Sequence, residues 1–195
     1  MILKKLLAIT LLAVCSQLGA FAQDVALKTN ILYDALLTPT LGLEVGVASR
    51  WSLELDGSIN NWSIDKHSWK QWMVQPEARF WLCQRFAGHF FALHGIGGQY
   101  NFGHINIGGH DFLGTDLKQL EDHRRQGWMA GAGVGYGYSW ILGKHWNIEA
   151  EIGIGWIYTR YDVYRCHGCN RKVEEDQTHN YFGPTKAALN FVYVF

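Results

Sequence analysis

Residues 128–142, WMAGAGVGYGYSWIL, set Trp128, Ala130, Ala132, Val134, Tyr136, Tyr138, Trp140 and Leu142 on one face of an extended chain and Gly131, Gly133, Gly135, Gly137 and Ser139 on the other. Residues 146–158, WNIEAEIGIGWIY, repeat the pattern, with Trp146, Ile148, Ala150, Ile152, Ile154, Trp156 and Tyr158 opposed to Asn147, Glu149, Glu151, Gly153 and Gly155. Successive side chains of a strand point to opposite sides, so a period of two held this long reads as β-structure. The same phase runs through Val25 to Tyr33, Leu41 to Val47, Trp51 to Ile59, Trp72 to Leu82 and Thr185 to Phe195. Residues 90–103 follow it less well, because His94 falls on the apolar side. Helical spacing hardly occurs. The expectation is an all-β chain of eight antiparallel strands.

Alternation alone does not say which face is the core, since a soluble barrel or sandwich shows the same period with its apolar side inward. Three asymmetries favour a transmembrane barrel with its apolar side toward lipid. Links near Ser49-Arg50, Cys83 to His89 and Gly143-Lys144-His145 are short, whereas those near 60–71, 104–126 and 160–183 are long; the link at Thr38-Pro39-Thr40 belongs to the long-side series although short itself. Short periplasmic turns and longer outer loops are the habit of membrane barrels. Aromatics gather at the strand ends, Trp51, Trp140, Trp146 and Tyr193 at one side and Trp72, Trp128, Trp156 and Tyr158 at the other, as two interfacial belts do. The chain stops on Phe195 after Leu189, Phe191 and Tyr193, which resembles the C-terminal signature by which insertion machinery recognises outer-membrane barrels. The glycine face agrees: the bore of eight strands barely holds its own side chains, so small residues make room for large ones opposite.

Residues 1–22 read as a removable export signal, with Lys4 and Lys5 at its start, an apolar run from Leu6 to Val14, and Ala20-Phe21-Ala22 before the cut. That run is shorter than the ~20 residues of a spanning helix. Leu12-Ala13-Val14-Cys15 is a poor lipoprotein box, because Val14 is bulky where a small residue is wanted. The signal carries two of the 17 basic residues and none of the 17 acidic ones, so residues 23–195 have a formal charge of −2 and no nucleic-acid footprint. They form one barrel domain, without a linker-like stretch.

Leu27-Lys28-Thr29-Asn30-Ile31-Leu32-Tyr33, Pro76-Glu77-Ala78-Arg79-Phe80-Trp81, Gly127-Trp128, Gly133-Val134-Gly135-Tyr136-Gly137-Tyr138 and Gly183-Pro184-Thr185-Lys186 carry a further signal. With them, residues 24–195 resemble an uncharacterised family, a domain of unknown function, of outer-membrane proteins from anaerobic Gram-negative bacteria, whose genes often lie near fimbria-type surface genes. The resemblance implies the same barrel and surface location. It brings no established activity, and a fold does not supply one.

The inward phase assigns Lys28, Glu44, Glu54, Asp56, Glu77, Arg79, Glu149, Glu151 and Lys186 to the lumen. An isolated buried charge is costly, so these groups are expected to pair as a structural polar plug; the alternative is proton or ion passage. In the longest outer loop, Cys166 and Cys169 suit a local disulfide, or a soft metal completed by His167 and His179. Cys83 should lie at the opposite end as a free thiol. His67, His104, His110, His123, His167 and His179 fall in the long-side loops, with Asp111, Asp116, Glu121 and Asp122 nearby. Acid–base catalysis draws on such pairs, but the spacings match no catalytic family, and polar loops collect His and Asp in any case. No catalytic residue, resident metal or cofactor is assigned. His104, His110, Asp111, His123, His167 and His179 are candidate binding residues. The expected role is a non-enzymatic surface scaffold in the outer membrane of a Gram-negative bacterium, in contact with lipid and the insertion machinery and binding a fimbrial or other envelope protein. The alternatives are a rim-located hydrolase or lipid-modifying enzyme and a small channel.

Overall fold

The computed structural model describes residues 25–64, 67–103, 124–164 and 172–195. The leader 1–22, His104, His110, Asp111, His123, Cys166, His167 and Cys169 lie outside the described residues. The strands are β1 (Val25–Asn30), β2 (Thr40–Ala48), β3 (Trp51–Ile64), β4 (His67–Trp81), β5 (Gly88–Gly103), β6 (Arg124–Ile141), β7 (Trp146–Tyr164) and β8 (Lys172–Val194). Each pairs antiparallel with the next, and β8 returns to β1 from Leu27↔Tyr193 to Asn30↔Asn190, closing an eight-stranded barrel. No helix among the described residues is long and apolar enough to cross a membrane.

The polarity is inverted relative to a water-soluble domain. Glu44, Arg79 and Glu149 are no more than 1% exposed, while Ile152 and Leu93 on the outer face are 72% and 62% exposed. Trp51, Trp140 and Trp146 stand exposed at the short-turn end, and Trp72, Trp128 and Trp156 at the other. Beyond this second ring the exterior turns polar, with Lys70, Gln126, Arg160, Thr178 and Asn180 all exposed.

Two strand assignments and the facing of a third strand differ from the sequence reading. The first strand does not reach Tyr33: it stops at Asn30, whose side chain accepts from Leu32 N at 3.1 Å and caps the five-residue helix α1 (Ile31–Ala35). Asp34 then accepts from Thr29 Oγ1 at 2.5 Å and from Thr40 N at 3.0 Å, tying the helix into the β1–β2 link. Such short polar side chains offer the backbone an alternative to the ladder, and here they override the apolar alternation. Second, much of the expected long loops 60–71 and 160–183 is strand: β3 and β4 pair out to Ile64↔His67, and β7 and β8 out to Tyr164↔Lys172. His67 therefore opens a strand, and His179 lies within β8 opposite Thr159. Once the chain leaves the apolar zone its outer face turns polar and no continuous apolar stripe remains, so the period fades while the main-chain hydrogen bonds continue.

The third difference is β5. Its inward residues are Phe90, Ala92, His94 and Ile96, all buried, so the inner face of this strand is itself largely apolar. Phe90 belongs to a plug at the short-turn end, made with Ala26, Trp81, Phe86, Ala92 and Val192. The Trp81 ring lies 4.7 Å from Phe90 and 6.1 Å from Phe86. Phe86 comes from the β4–β5 link and holds a left-handed φ of 60°. Its carbonyl accepts from Asn147 Nδ2 at 2.6 Å and Ser139 Oγ at 3.1 Å, two buried donors that fix the strained turn against the barrel floor.

A buried charged belt inside the barrel

Glu44, Glu54 and Glu77 stand side by side across β2, β3 and β4, and the same row continues through His94 on β5 to Gly133 on β6. Like charges directly opposite one another destabilise a sheet, so this row requires counter-charges from elsewhere. Arg79 supplies the first. Two residues from Glu77, it shares the inward face and extends toward the far wall. Its Nη1 lies 2.8 Å from Glu54, 2.7 Å from Glu149 and 3.1 Å from Glu44, its Nη2 2.8 Å from Glu151, and its Nε pairs with Glu77. The guanidinium also stands 4.5 Å from the centre of the Phe90 ring, roofing the aromatic plug.

The two lysines come from the strands that close the barrel. Lys28 on β1 bridges Glu54 at 2.8 Å and Glu149 at 3.1 Å and pairs with Glu44. Lys186 on β8 reaches Glu77 at 2.6 Å, Glu151 at 3.3 Å, Asp56 at 3.4 Å and Glu54 at 3.7 Å. Neutral donors complete the set: Ser52 Oγ donates to Glu44 and accepts from Trp81 Nε1 at 2.8 Å, and Asn190 Nδ2 donates to Glu149 at 3.2 Å. All nine charged residues read from the inward phase thus meet in one network; eight are buried and Asp56 sits at its edge. Gly42 leaves the space that Asp56 occupies, since a Cβ there would fall on its carboxylate.

Sequence reasoning missed His94 as a member of this interior. Its ring is 1% exposed, and Nε2 lies 2.8 Å from Thr185 Oγ1. Thr185 faces inward because β8 carries a bulge there: Gly153 pairs with Lys186 and Ile154 with Pro184, leaving Thr185 as the extra residue. Gly133 and Gly153 flank the imidazole so closely that a Cβ on either would come within 2.6 or 2.7 Å of it. The available signal was the anomaly itself, a histidine in the apolar phase of residues 90–103.

Above the belt, between the outward extensions of the strands, is a cavity of about 470 Å³ lined by Asn60, Gln71, Tyr100, Asn101, Gln126 and Tyr164 among others. His179 lies half-buried on this part of β8, its carbonyl accepting from Thr159 Oγ1 at 3.3 Å. It is not brought to the charged belt. Cys83 is a free, exposed thiol in the β4–β5 link.

An eight-stranded antiparallel barrel with an apolar exterior and an interior filled by paired charges is the class that this fold and site define. The chain belongs to the family described as "Protein of unknown function (DUF3575)", which matches residues 6–195. Comparison with curated proteins and with solved structures finds no match.

Proposed function

We propose that this protein is a non-enzymatic outer-membrane barrel of a Gram-negative bacterium, a rigid scaffold whose outer end binds a fimbrial or other envelope component. The observation that carries the reading is the inverted polarity between two aromatic rings. Trp146 to Trp156 on β7 matches the roughly 9–11 residues with which a tilted strand crosses a bilayer. Only one end extends past its ring into polar walls, and this is where a partner finds ionisable groups free of lipid and lumen constraints. Outer-membrane lipid is then the solvent of the apolar band. Phe195, exposed beside Tyr193 at the closing seam, is available to the insertion machinery. The fimbrial partner rests on the family resemblance. Against a small channel stand the belt and the Trp81–Phe86–Phe90 plug, which fill the bore side chain against side chain.

The test is topology followed by capture on intact cells. After mild reduction, an impermeant thiol reagent should label Cys166 and Cys169 and spare Cys83; the opposite pattern reverses the orientation. Unboiled protein should migrate differently from boiled protein on a detergent gel. Shortening 104–123 and 165–171 together should keep that migration but abolish crosslinking to the envelope partner. A shortened barrel that still captures the partner and restores a deletion strain would move the function to the wall or the periplasmic turns.

A further inference from the structure

We propose that Glu77, His94 and Glu151 form a binding site for a divalent first-row metal ion of the zinc class inside the barrel. One ligand atom from each residue lies within 4.8 Å of the other two, and all three residues are buried. They come from β4, β5 and β7, and Glu77 and His94 are direct ladder partners, so the backbone presets their separation. One imidazole nitrogen with two carboxylates is a donor set suited to zinc and its neighbours.

The independent observation is an orphaned atom. His94 Nδ1 is buried without a hydrogen-bond partner, and so is Glu151 Oε1. In the tautomer whose Nε2 donates to Thr185 Oγ1, the lone pair falls on Nδ1, the arrangement in which a metal-bound histidine is held by an oxygen on its far nitrogen. The β8 bulge that turns Thr185 inward thereby acquires a purpose beyond packing. Three glycines keep the space open: a Cβ at Gly133 or Gly153 would strike the imidazole, and one at Gly135 would lie 2.7 Å from Glu151 Oε1. Charge points the same way. Among the described residues, the ion pairs of the six belt carboxylates run to three cations, Lys28, Arg79 and Lys186, and a divalent ion offsets most of the excess. Lys186 holds Oε2 of both Glu77 and Glu151, so Oε1 of Glu151 stays available.

The purified mature barrel in detergent micelles, loaded with Zn2+ or Co2+ and desalted, should retain one ion per chain. The Co2+ form should show visible d–d bands without a thiolate charge-transfer band. His94→Ala should lower the affinity at least tenfold, and Cys166→Ser with Cys169→Ser should leave it unchanged. Thr185→Val keeps the ligand but removes its orienting oxygen, and should weaken binding by about 10–100-fold. Heat-modifiable migration establishes folding first; if His94→Ala does not fold, Thr185→Val and the Co2+ spectrum decide. Wild-type protein that retains no ion, retention indifferent to His94 and Thr185, or a thiolate band lost with the cysteine pair would each overturn the proposal.

Discussion

The charged belt and the polar walls above it are built on the same strands, yet they obey different rules. In the belt, Arg79 is wholly buried and touches five carboxylates contributed by four strands. In the walls, Arg160 on β7 pairs with Asp176 on β8, and both side chains are about half exposed, at 49% and 58%. Breaking a buried pair strands a charge where water cannot reach it, whereas an exposed partner is simply resolvated. Adjacent stretches of one barrel are thus locked in one case and free to vary in the other, which places structural constraint in the belt and adaptability in the walls.

Arg79→Ala should break that contrast most severely. Its removal leaves Glu77, Glu149 and Glu151 without their nearest cation, and we expect a loss of about 3–5 kcal/mol in denaturant unfolding followed by tryptophan fluorescence. A loss under about 1 kcal/mol would mean that the belt is hydrated and the contrast false. Gly137→Ala comes next. The added methyl would strike the Phe90 ring and lie 2.7 Å from the Ala150 carbonyl, so the plug must shift, at an expected ~1–3 kcal/mol by the same measurement. Asn30→Ala removes the cap of α1 and should lower stability by about 1 kcal/mol, with the belt ion pairs intact. Arg160→Ala should leave the unfolding midpoint where it is. A clear shift there would show the walls to be as rigid as the belt.

The alternation of WMAGAGVGYGYSWIL and WNIEAEIGIGWIY determined the strands, the aromatic residues near their ends determined the two rings, and the inward phase named every charged member of the belt. These features are local, since they follow from a side-chain period that one strand displays by itself. The sequence did not disclose the extensions of β3, β4, β7 and β8, because above the Trp72–Trp128–Trp156 ring no continuous apolar stripe remains to mark the period. Nor did it disclose α1, where Asn30 and Asp34 draw the backbone out of the ladder. His94 looked misplaced until closure brought β5 opposite β7 and the Thr185 bulge, and only then did its apolar neighbours Phe90 and Ala92 prove to be plug rather than outer wall. Which cation meets which carboxylate is likewise a property of closure. Lys28 and Lys186 lie at opposite ends of the chain, and their partners are fixed by barrel register and by the glycines that hollow the far wall, neither of which any single strand encodes.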